Sequence, residues 1–333
     1  MAKNESTDRP EGGDRSLPGQ TIVIERRERG GFFRRIVVPL LFFLFFFLLI
    51  GSLMTRETGL PTRLVERYAA GETSGPTIAI IEINGVIMDQ EVEHAIRQIR
   101  QARDDNKVKA VILRIDSPGG SVSGSDRIWR EIGVLKGKKK PVVASLGGMA
   151  ASGGYYVAAP ADRVLAEPTT LTGSIGVLLE LPQLHGLMEK VGVEFETITT
   201  GQWKDAGSPF RAMTDRERDR WKQVIDDAYQ RFVRVVAQGR KLPLDAVKTV
   251  ADGKVFTAQE ALNSKLIDEV GYLDDAILTA QRLAVLESAR IIRYSRPTAL
   301  ESLLGASSPV PTPRIDAQTW LRLQTPQILF LAR

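Results

Sequence analysis

The chain has 333 residues, of which 43% are apolar and 26% are charged, and its formal net charge is +5. This composition is typical of a globular protein with a substantial core and excludes general disorder. The chain has no cysteine, which excludes disulfides, a cysteine nucleophile and a thiolate metal site.

Residues 1–35 are rich in glycine, proline and charge, so we expect a flexible tail there. Residues 36–54 (IVVPLLFFLFFFLLIGSLM) carry no charge and are long enough to cross a bilayer as one helix. A cleaved signal peptide begins in the same way, but a long polar segment precedes this run and no A-x-A site closes it. The arginines before the run predict a cytoplasmic N-terminus and place the rest of the chain on the other side of the membrane. We therefore do not interpret these arginines as a nucleic-acid-binding surface.

The next part of the chain alternates between strand and helix patterns. Residues 55–76 are predicted to be a linker, so the folded unit is expected to begin near residue 77. Apolar β-rich runs predict strands at 77–85, 108–116, 140–146 and 163–167, and helical spacing predicts helices at 90–105 and 123–136. This alternation predicts an α/β fold with βαβ units and a mostly parallel sheet, and the continuous apolar runs indicate strands buried on both faces.

The second half of the chain has a different pattern. FETITT (195–200) is predicted to be a strand. Residues 214–241 are predicted to form a long amphipathic helix that starts at a Thr214–Glu217 capping box. Its apolar stripe, which we interpret as core or subunit packing, comprises Trp221, Val224, Ile225, Ala228, Phe232 and Val235. Residues 296–333 are predicted to be a C-terminal tail. Its apolar end from Trp320 suits a membrane surface, a subunit contact or a substrate groove, and the sequence leaves these alternatives open.

Two loops follow predicted strands at the edge where sites form in parallel α/β sheets. SPGGSVSG (117–124) has glycines that allow close backbone approach to a ligand, or simply a tight turn. It lacks the G-x-x-x-x-G-K-[ST] pattern of a nucleotide-binding loop. In SLGGMAASGGYYVAAPADRV (145–164), Ser152 precedes two glycines, so its hydroxyl is accessible beside a backbone N–H that can stabilise an oxyanion. Taken alone, the small residues around Ser152 are more typical of close helix packing.

A serine nucleophile needs a base. The two histidines, His94 in a polar helix and His185 in LPQLHGLMEKVG, have no setting that suggests this role. Lys204 lies in GQWKDAGSPFRAMT after the predicted strand and beside Trp203. A lysine can serve as the base when burial removes its charge.

Five motifs then occur in a recognisable order: DSPGGSV, GGMAASGGYYVA, TLTGSIGV, GQWKDAGSPFRAMT and KVFTAQEALNSKLIDEVGYLDDA. With them, about residues 77–290 resemble the short, single-domain type of the signal peptide peptidase A family, which are bacterial membrane-anchored serine proteases. Residues 77–295 are accordingly predicted to form the peptidase domain. The resemblance implies a Clp-protease or crotonase-like α/β fold of stacked βαβ units. It also implies one N-terminal transmembrane helix in the inner membrane and an extracytoplasmic peptidase domain.

The resemblance also implies the site. Ser152 corresponds to the nucleophile, Lys204 to the general base and Ser174 to the serine that orients the base. The oxyanion hole would consist of the backbone N–H groups of Gly153 and Gly119, with Gly120 as the alternative to Gly119. No metal or cofactor is implied.

The implied assembly is a ring-like homo-octamer in which Ser152 and Lys204 of one site come from neighbouring subunits. The implied substrates are signal peptides left in the membrane, cut at small or apolar residues. Two rival hypotheses remain open at this point. One is a crotonase-type acyl-CoA hydratase or isomerase, which uses an oxyanion hole without a nucleophile; the other is an inactive membrane scaffold.

Overall fold

The computed structural model describes residues 64–295 and 328–331 of the chain. The predicted tail (1–35), the predicted membrane span (36–54) and residues 55–63 of the predicted linker lie outside these residues. Within the two described ranges, no helix is long and apolar enough to cross a membrane.

The described residues form an alternating α/β structure, as the sequence predicts. The strands are β1 (Val65–Gly71), β2 (Thr77–Asn84), β3 (Val108–Ser117), β4 (Gly119–Ser121), β5 (Val142–Ala151), β6 (Arg163–Ala166), β7 (Leu171–Gly173), β8 (Leu178–Leu179), β9 (Val255–Thr257), β10 (Glu269–Val270), β11 (Arg290–Ser295) and β12 (Ile328–Leu331). The helices are α1 (Asp89–Asp104), α2 (Val122–Gly137), α3 (Gly153–Ala158), α4 (His185–Val191), α5 (Asp215–Arg240), α6 (Leu244–Lys248), α7 (Ala258–Asn263) and α8 (Leu273–Leu283).

Nine of these strands form one mostly parallel sheet, in the order β1-β11-β2-β3-β5-β6-β10, with β7 beside the end of β5 and β9 beside β7. Neighbours from β11 to β10 run parallel, whereas β1 and β9 pair antiparallel. The four strands predicted between residues 77 and 167 and the two helices between them are confirmed. A second, small sheet has the order β4-β12-β8.

The central strands are buried on both faces because helices cover both sides of the sheet. In β2, Ala79, Ile81 and Ile83 face the larger core with α1, α2, α3 and α5. The alternate residues Ile78 and Ile80 face a smaller core with Ala276 and Ala280 of α8. This arrangement explains why these strands are continuous apolar runs in the sequence.

The structure differs from the sequence predictions at one boundary and at one predicted strand. Residues 65–71, inside the predicted linker, form the edge strand β1, which pairs with β11, so the folded part begins before residue 77. Residues 195–200 form no strand. The side chain of Ile198 is 91% exposed, and Phe195 stacks on Phe210 at a ring distance of 4.0 Å. An alternating apolar pattern alone does not form a β-strand, because the backbone hydrogen bonds of a strand require a neighbouring strand.

The long helix α5 begins as predicted, with a capping box between Thr214 and Glu217. Its two halves are buried to different extents. Phe232 and Val235 are fully or almost fully buried in the larger core, whereas Trp221, Val224, Ile225 and Ala228 are only partly buried. The predicted apolar stripe is therefore core packing at its C-terminal end and lines more open surface at its N-terminal end.

The close contact between α5 and α3 predicts a large difference between two helical glycines. A Cβ at Gly239 of α5 would lie 2.2 Å from the carbonyl oxygen of Ala159, whereas a Cβ at Gly133 of α2 would meet nothing within 4 Å. We expect Gly239→Ala to lower the free energy of unfolding by about 1–3 kcal/mol because the helices must separate. Gly133→Ala should raise it by about 0.4–1 kcal/mol. Urea denaturation measures both changes, and equal effects would contradict this packing.

Candidate active site

Both predicted site loops lie at one edge of the sheet. Strands β3 and β5 are parallel neighbours, and Ser117 at the end of β3 pairs with Ala150 near the end of β5. The glycine-rich turn that follows β3 and the serine that follows β5 are therefore adjacent. Parallel pairing brings together residues that are more than thirty positions apart in the sequence.

Ser152 lies at the junction between β5 and α3. Its φ is +52°, in the region that favours glycine, and its N–H donates to the Gly173 carbonyl at 2.7 Å. The residue is fully buried, and its Oγ has no hydrogen-bond partner among the described residues. A buried hydroxyl without a partner is costly.

The turn after β3 packs directly against the start of α3. A Cβ at Gly119 would lie 2.8 Å from the Gly153 nitrogen, and a Cβ at Gly153 would lie 3.1 Å from the Gly120 nitrogen. The missing side chains thus allow the backbone N–H groups of the two segments to come close together.

The N–H groups of Gly119 and Gly120 have different partners. The Gly119 N–H donates to Ser117 Oγ at 3.1 Å. The Gly119 carbonyl accepts from Ile87 N–H, and Ser121 N–H donates to the Ile87 carbonyl. Because the direction of backbone groups alternates along a strand, the Gly120 N–H and carbonyl face the opposite side, toward β12.

Strand β12 is a short peptide segment paired beside this turn. It runs antiparallel to β4, with Phe330 opposite Gly120, and its first two residues pair with β8. The Phe330 carbonyl packs so closely on Gly119 that a Cβ there would lie 2.1 Å from its oxygen. The segment Ile328–Leu331 therefore lies between β4 and β8 as the middle strand of the small sheet.

Ser174 lies at the same edge because β7, which it follows, pairs with the end of β5. It has a φ of +48°, is 5% exposed, and its N–H donates to the Lys254 carbonyl at 2.8 Å. With Leu178 of β8, Tyr229 of α5 and Leu331 of β12, it lines a cavity of about 600 Å³. The structure thus gathers Ser152, Gly119, Gly120, Gly153 and Ser174 into one region.

Lys204 makes no hydrogen bond to Ser152 Oγ. Its side chain is exposed, it lies in a loop of turns, and its N–H donates to the Gly201 carbonyl at 3.1 Å. Within the described part of the chain, Ser152 Oγ accepts no hydrogen bond from Lys204 or from either histidine. In the described residues, the serine and the predicted base are therefore not hydrogen-bonded to each other.

The loop that contains Lys204 is attached to the start of α5 by Arg211. Its guanidinium donates to the Asp205 carboxylate at 2.6 Å and to the Asp205 carbonyl at 2.8 Å. It also binds both carboxylate oxygens of Glu217. This hydrogen bonding with Arg211 is the main cause that lowers the pKa of Glu217 to about 2. The residue next to Lys204 is thus fixed to the capping box of α5.

Two features of the site had little or no signal in the sequence. One is Phe330, whose side chain is fully buried and contacts Tyr156 and Phe232 at ring distances of 5.0 and 4.7 Å. The other is Ser125, whose buried Oγ has no hydrogen-bond partner in the described residues and lies 2.6 Å from where a Cβ of Gly153 would be. The apolar run ILFL at 328–331 was the available signal for the first feature; the second had none.

An extended peptide paired beside a glycine turn and a buried serine is the arrangement of a serine peptidase. Comparisons with known proteins agree. The family model for peptidase family S49 matches residues 135–287, and a Clp protease model matches residues 77–170. The chain belongs to peptidase family S49, and its parallel-rich α/β fold is consistent with a Clp-protease-like fold.

Three relatives illustrate the extent of the similarity. A putative protease of Methanocaldococcus jannaschii is 39% identical over 62% of this chain and 66% of its own length. A putative signal peptide peptidase SppA of Enterococcus faecium is 34% identical over 68% of this chain and 69% of its own length. Protease 4 of Salmonella typhi is 38% identical over 70% of this chain, which spans only 39% of that protein.

The ion pairs of Glu217 predict a pH-dependent contribution to stability. A lowered pKa means that this contribution is present above the ordinary value near 4.5 and is lost as the pH falls toward about 2. We expect Glu217→Gln to lower the free energy of unfolding by about 1.5–3 kcal/mol at pH 7. The difference from the unsubstituted chain should shrink steadily between pH 5 and pH 2.

A matched control is available in α7, where Thr257 and Glu260 form the same capping box. Within the described part of the chain, no arginine pairs with Glu260. Denaturation of Glu260→Gln should show a smaller loss at pH 7. An equal loss in the two variants would show that Arg211 adds nothing to the cap.

Proposed function

We propose that this chain is a membrane-anchored serine endopeptidase that degrades cleaved signal peptides in or at the membrane. The observation that carries the proposal is the pairing of β12 beside Ser152, because this groove already accepts an extended apolar peptide. Signal peptides are apolar and extended when unfolded, and one relative is named a putative signal peptide peptidase.

In the proposed mechanism, Ser152 Oγ attacks the carbonyl carbon of the scissile peptide bond. Lys204 in its neutral form takes the hydroxyl proton and passes it to the leaving amine. The acyl-enzyme ester is then hydrolysed by water, with Lys204 again as the base. Ser174, at the same edge of the sheet, is proposed to orient the lysine amine.

Two backbone N–H groups are proposed to stabilise the oxyanion. The Gly153 N–H follows the nucleophile directly. For the second donor we propose Gly120, the alternative to Gly119, because the Gly119 N–H donates to Ser117 Oγ, whereas the Gly120 N–H faces β12. The loss of one such donor typically reduces the rate by roughly 10²–10³-fold.

The base is proposed to come from a neighbouring subunit in a ring of copies, with an octamer implied by the family resemblance. Two observations support this part: Ser152 Oγ has no hydrogen-bond partner in the described residues, and Lys204 lies in an exposed loop. Phe195, Ile198 and Trp203, near Lys204 in the sequence, are also exposed, as expected of a surface that a partner covers. A charged lysine cannot accept a proton, so this contact would also exclude water from Lys204.

The membrane part of the proposal depends on sequence alone. The uncharged run at 36–54 would anchor the chain in a bacterial inner membrane, and the arginines before it would keep the N-terminus in the cytoplasm. The peptidase domain would then face the extracytoplasmic side, where cleaved signal peptides remain. Membership of a peptidase family argues against the acyl-CoA hydratase and the inactive scaffold.

The nucleophile can be tested with the full chain in detergent. We expect a fluorophosphonate probe to label Ser152 and a synthetic signal peptide to be hydrolysed. Ser152→Ala and Lys204→Ala should each lower hydrolysis by roughly 10⁴-fold or more. Lys248→Ala, which removes an exposed lysine elsewhere, should leave it unchanged. Labelling that persists in Ser152→Ala would disprove the assignment.

The shared site can be tested by mixing chains. Ser152→Ala and Lys204→Ala chains are each inactive, but a mixed ring contains some sites with an intact serine from one chain and an intact lysine from the next. Random mixing in equal amounts should restore about a quarter of the activity, if each site combines two neighbours of a cyclic assembly. No recovery in a mixed oligomer verified by native mass spectrometry would disprove the shared site.

A further inference from the structure

Strand β5 contains a bulge shortly before the proposed nucleophile. The pairing of β5 with β3 is regular up to Leu146 and resumes at Ala150. Between these two residues, one residue of β3, Asp116, lies opposite three residues of β5, 147–149. We call residues 147–149 the β5 bulge. Bulges bend a strand and are frequent beside active sites, where they redirect a side chain.

The β5 bulge affects how far Ser152 lies from the glycine turn after β3. Three residues of β5 take the place of one, so the bulge takes up two extra residues. Because a strand advances about 3.3 Å per residue, the bulge brings Ser152 up to about 6.6 Å closer to the end of β3 than a regular strand would. At the bulge β5 also changes its partner, from β6 at Leu146 to β7 at Met149. The bulge therefore sets the position of Ser152 relative to Gly119 and Gly120.

The side chain of Asp116 holds the β5 bulge from the neighbouring strand. Its Oδ1 accepts the N–H of Met149 at 3.1 Å. A Cβ at Gly147 would lie 3.2 Å from Cβ, Cγ and Oδ2 of Asp116, so the carboxyl group also packs closely on the first residue of the bulge. One side chain thus contacts both ends of the bulge.

Two threonines support the same segment from the side of β7. The Thr170 hydroxyl donates to the Gly147 carbonyl and the Thr172 hydroxyl donates to the Ala150 carbonyl, both at 2.6 Å. Both threonines are fully buried, whereas Asp116 is exposed. Asp116 can therefore be replaced without opening a cavity in the core, which makes its contribution the one that can be measured by itself.

We infer that Asp116 is a positioning residue for the proposed nucleophile. Its carboxylate fixes the β5 bulge, and the bulge fixes Ser152 beside the N–H groups of Gly120 and Gly153. This inference rests on the proposed peptidase function and adds to it a residue that acts through Ser152. A misplacement of a catalytic group by about 1 Å can lower a rate by roughly 10²-fold, so a local change at Asp116 is expected to affect catalysis.

The test compares the rates at which a fluorophosphonate probe labels Ser152 in full-length variants in detergent. Asp116→Ala removes the acceptor for the Met149 N–H, so labelling should slow by about tenfold or more. With a peptide substrate, kcat should fall by a similar factor while KM changes by less than about threefold, because the chemical step is affected rather than binding.

Asp116→Asn is the conservative variant. It keeps an oxygen acceptor for the Met149 N–H, so its labelling rate should stay within about threefold of that of the unsubstituted chain. Equal losses in Asp116→Asn and Asp116→Ala would show that this hydrogen bond does not position Ser152. Undiminished labelling in Asp116→Ala would also overturn the inference.

Asp105→Ala is the matched control. The carboxylate of Asp105 likewise accepts a backbone N–H, that of Lys107 at 2.8 Å, but it lies before β3 begins, at the opposite edge of the sheet. Its replacement should lower the urea midpoint, as Asp116→Ala does, but leave the labelling rate unchanged. If labelling slowed equally in the two variants, the cause would be a general loss of stability and the inference would be wrong.

Two glycines of the bulge test the same contact from the other strand. Gly147→Ala would bring a methyl group to 3.2 Å from Asp116, whereas Gly148→Ala would bring it only to 3.9 Å, an ordinary contact distance. Neither glycine has a positive φ, so backbone strain does not separate the two variants. We expect Gly147→Ala to slow Ser152 labelling at least about threefold more than Gly148→Ala does. Equal rates in these two variants would contradict the inference.

Failure of the inference is distinguishable from failure of the proposed function. Labelling that depends on Ser152 but is unaffected by Asp116→Ala would overturn only the inference. If the probe does not label the unsubstituted chain, the proposed nucleophile fails, and the bulge is tested by hydrogen exchange with mass spectrometry. The peptide that covers residues 147–152 should then exchange at least about tenfold faster in Asp116→Ala than in Asp116→Asn, and equal exchange would overturn the inference.

Discussion

The contact between the turn at Gly119–Gly120 and the start of α3 at Gly153 is the constraint on which the site depends. A Cβ on any of these three residues would lie too close to neighbouring atoms, so the two segments approach only because they lack side chains. The approach in turn requires that β3 and β5 be adjacent and parallel, with their carboxyl ends at one edge. From this single contact follow the nearby N–H groups, the position of Ser152 and the groove that receives β12.

Helix α5 connects the separate parts of the molecule. Its first turn holds the loop of Lys204 through Arg211 and Glu217, and its middle lines the cavity beside Ser174. Phe232, nearer its end, belongs to the core and to the pocket around the Phe330 side chain. A displacement of this helix would therefore move the proposed base, the cavity and the pocket together. One long helix, held at its start by the capping box, thus fixes the relative positions of these parts.

The sequence contained strong signals for the parts that local patterns determine. The central strands are apolar runs because they are buried on both faces, and Thr214 with Glu217 marks a helix start by local hydrogen bonds. Ser152 and the glycine turn could be located because each follows such a strand. Strand β12 could not be placed, since four residues pair with partners about 150 to 210 positions away. The strand predicted at 195–200 was wrong because alternation alone supplies no pairing partner. Lys204 could be matched only by resemblance, and in the described residues it makes no hydrogen bond to Ser152 Oγ.

The backbone of Ser152 also has a consequence for the stability of the whole domain. A φ of +52° with a ψ of −114° costs a residue with a side chain on the order of 1–3 kcal/mol, whereas glycine adopts positive φ readily. Folded proteins have a free energy of unfolding of only about 5–15 kcal/mol, so the strain at this one residue is a sizeable fraction of it. The strained backbone that places the Ser152 hydroxyl therefore lowers the stability of the domain. The tight packing of α3 and α5 offsets this loss.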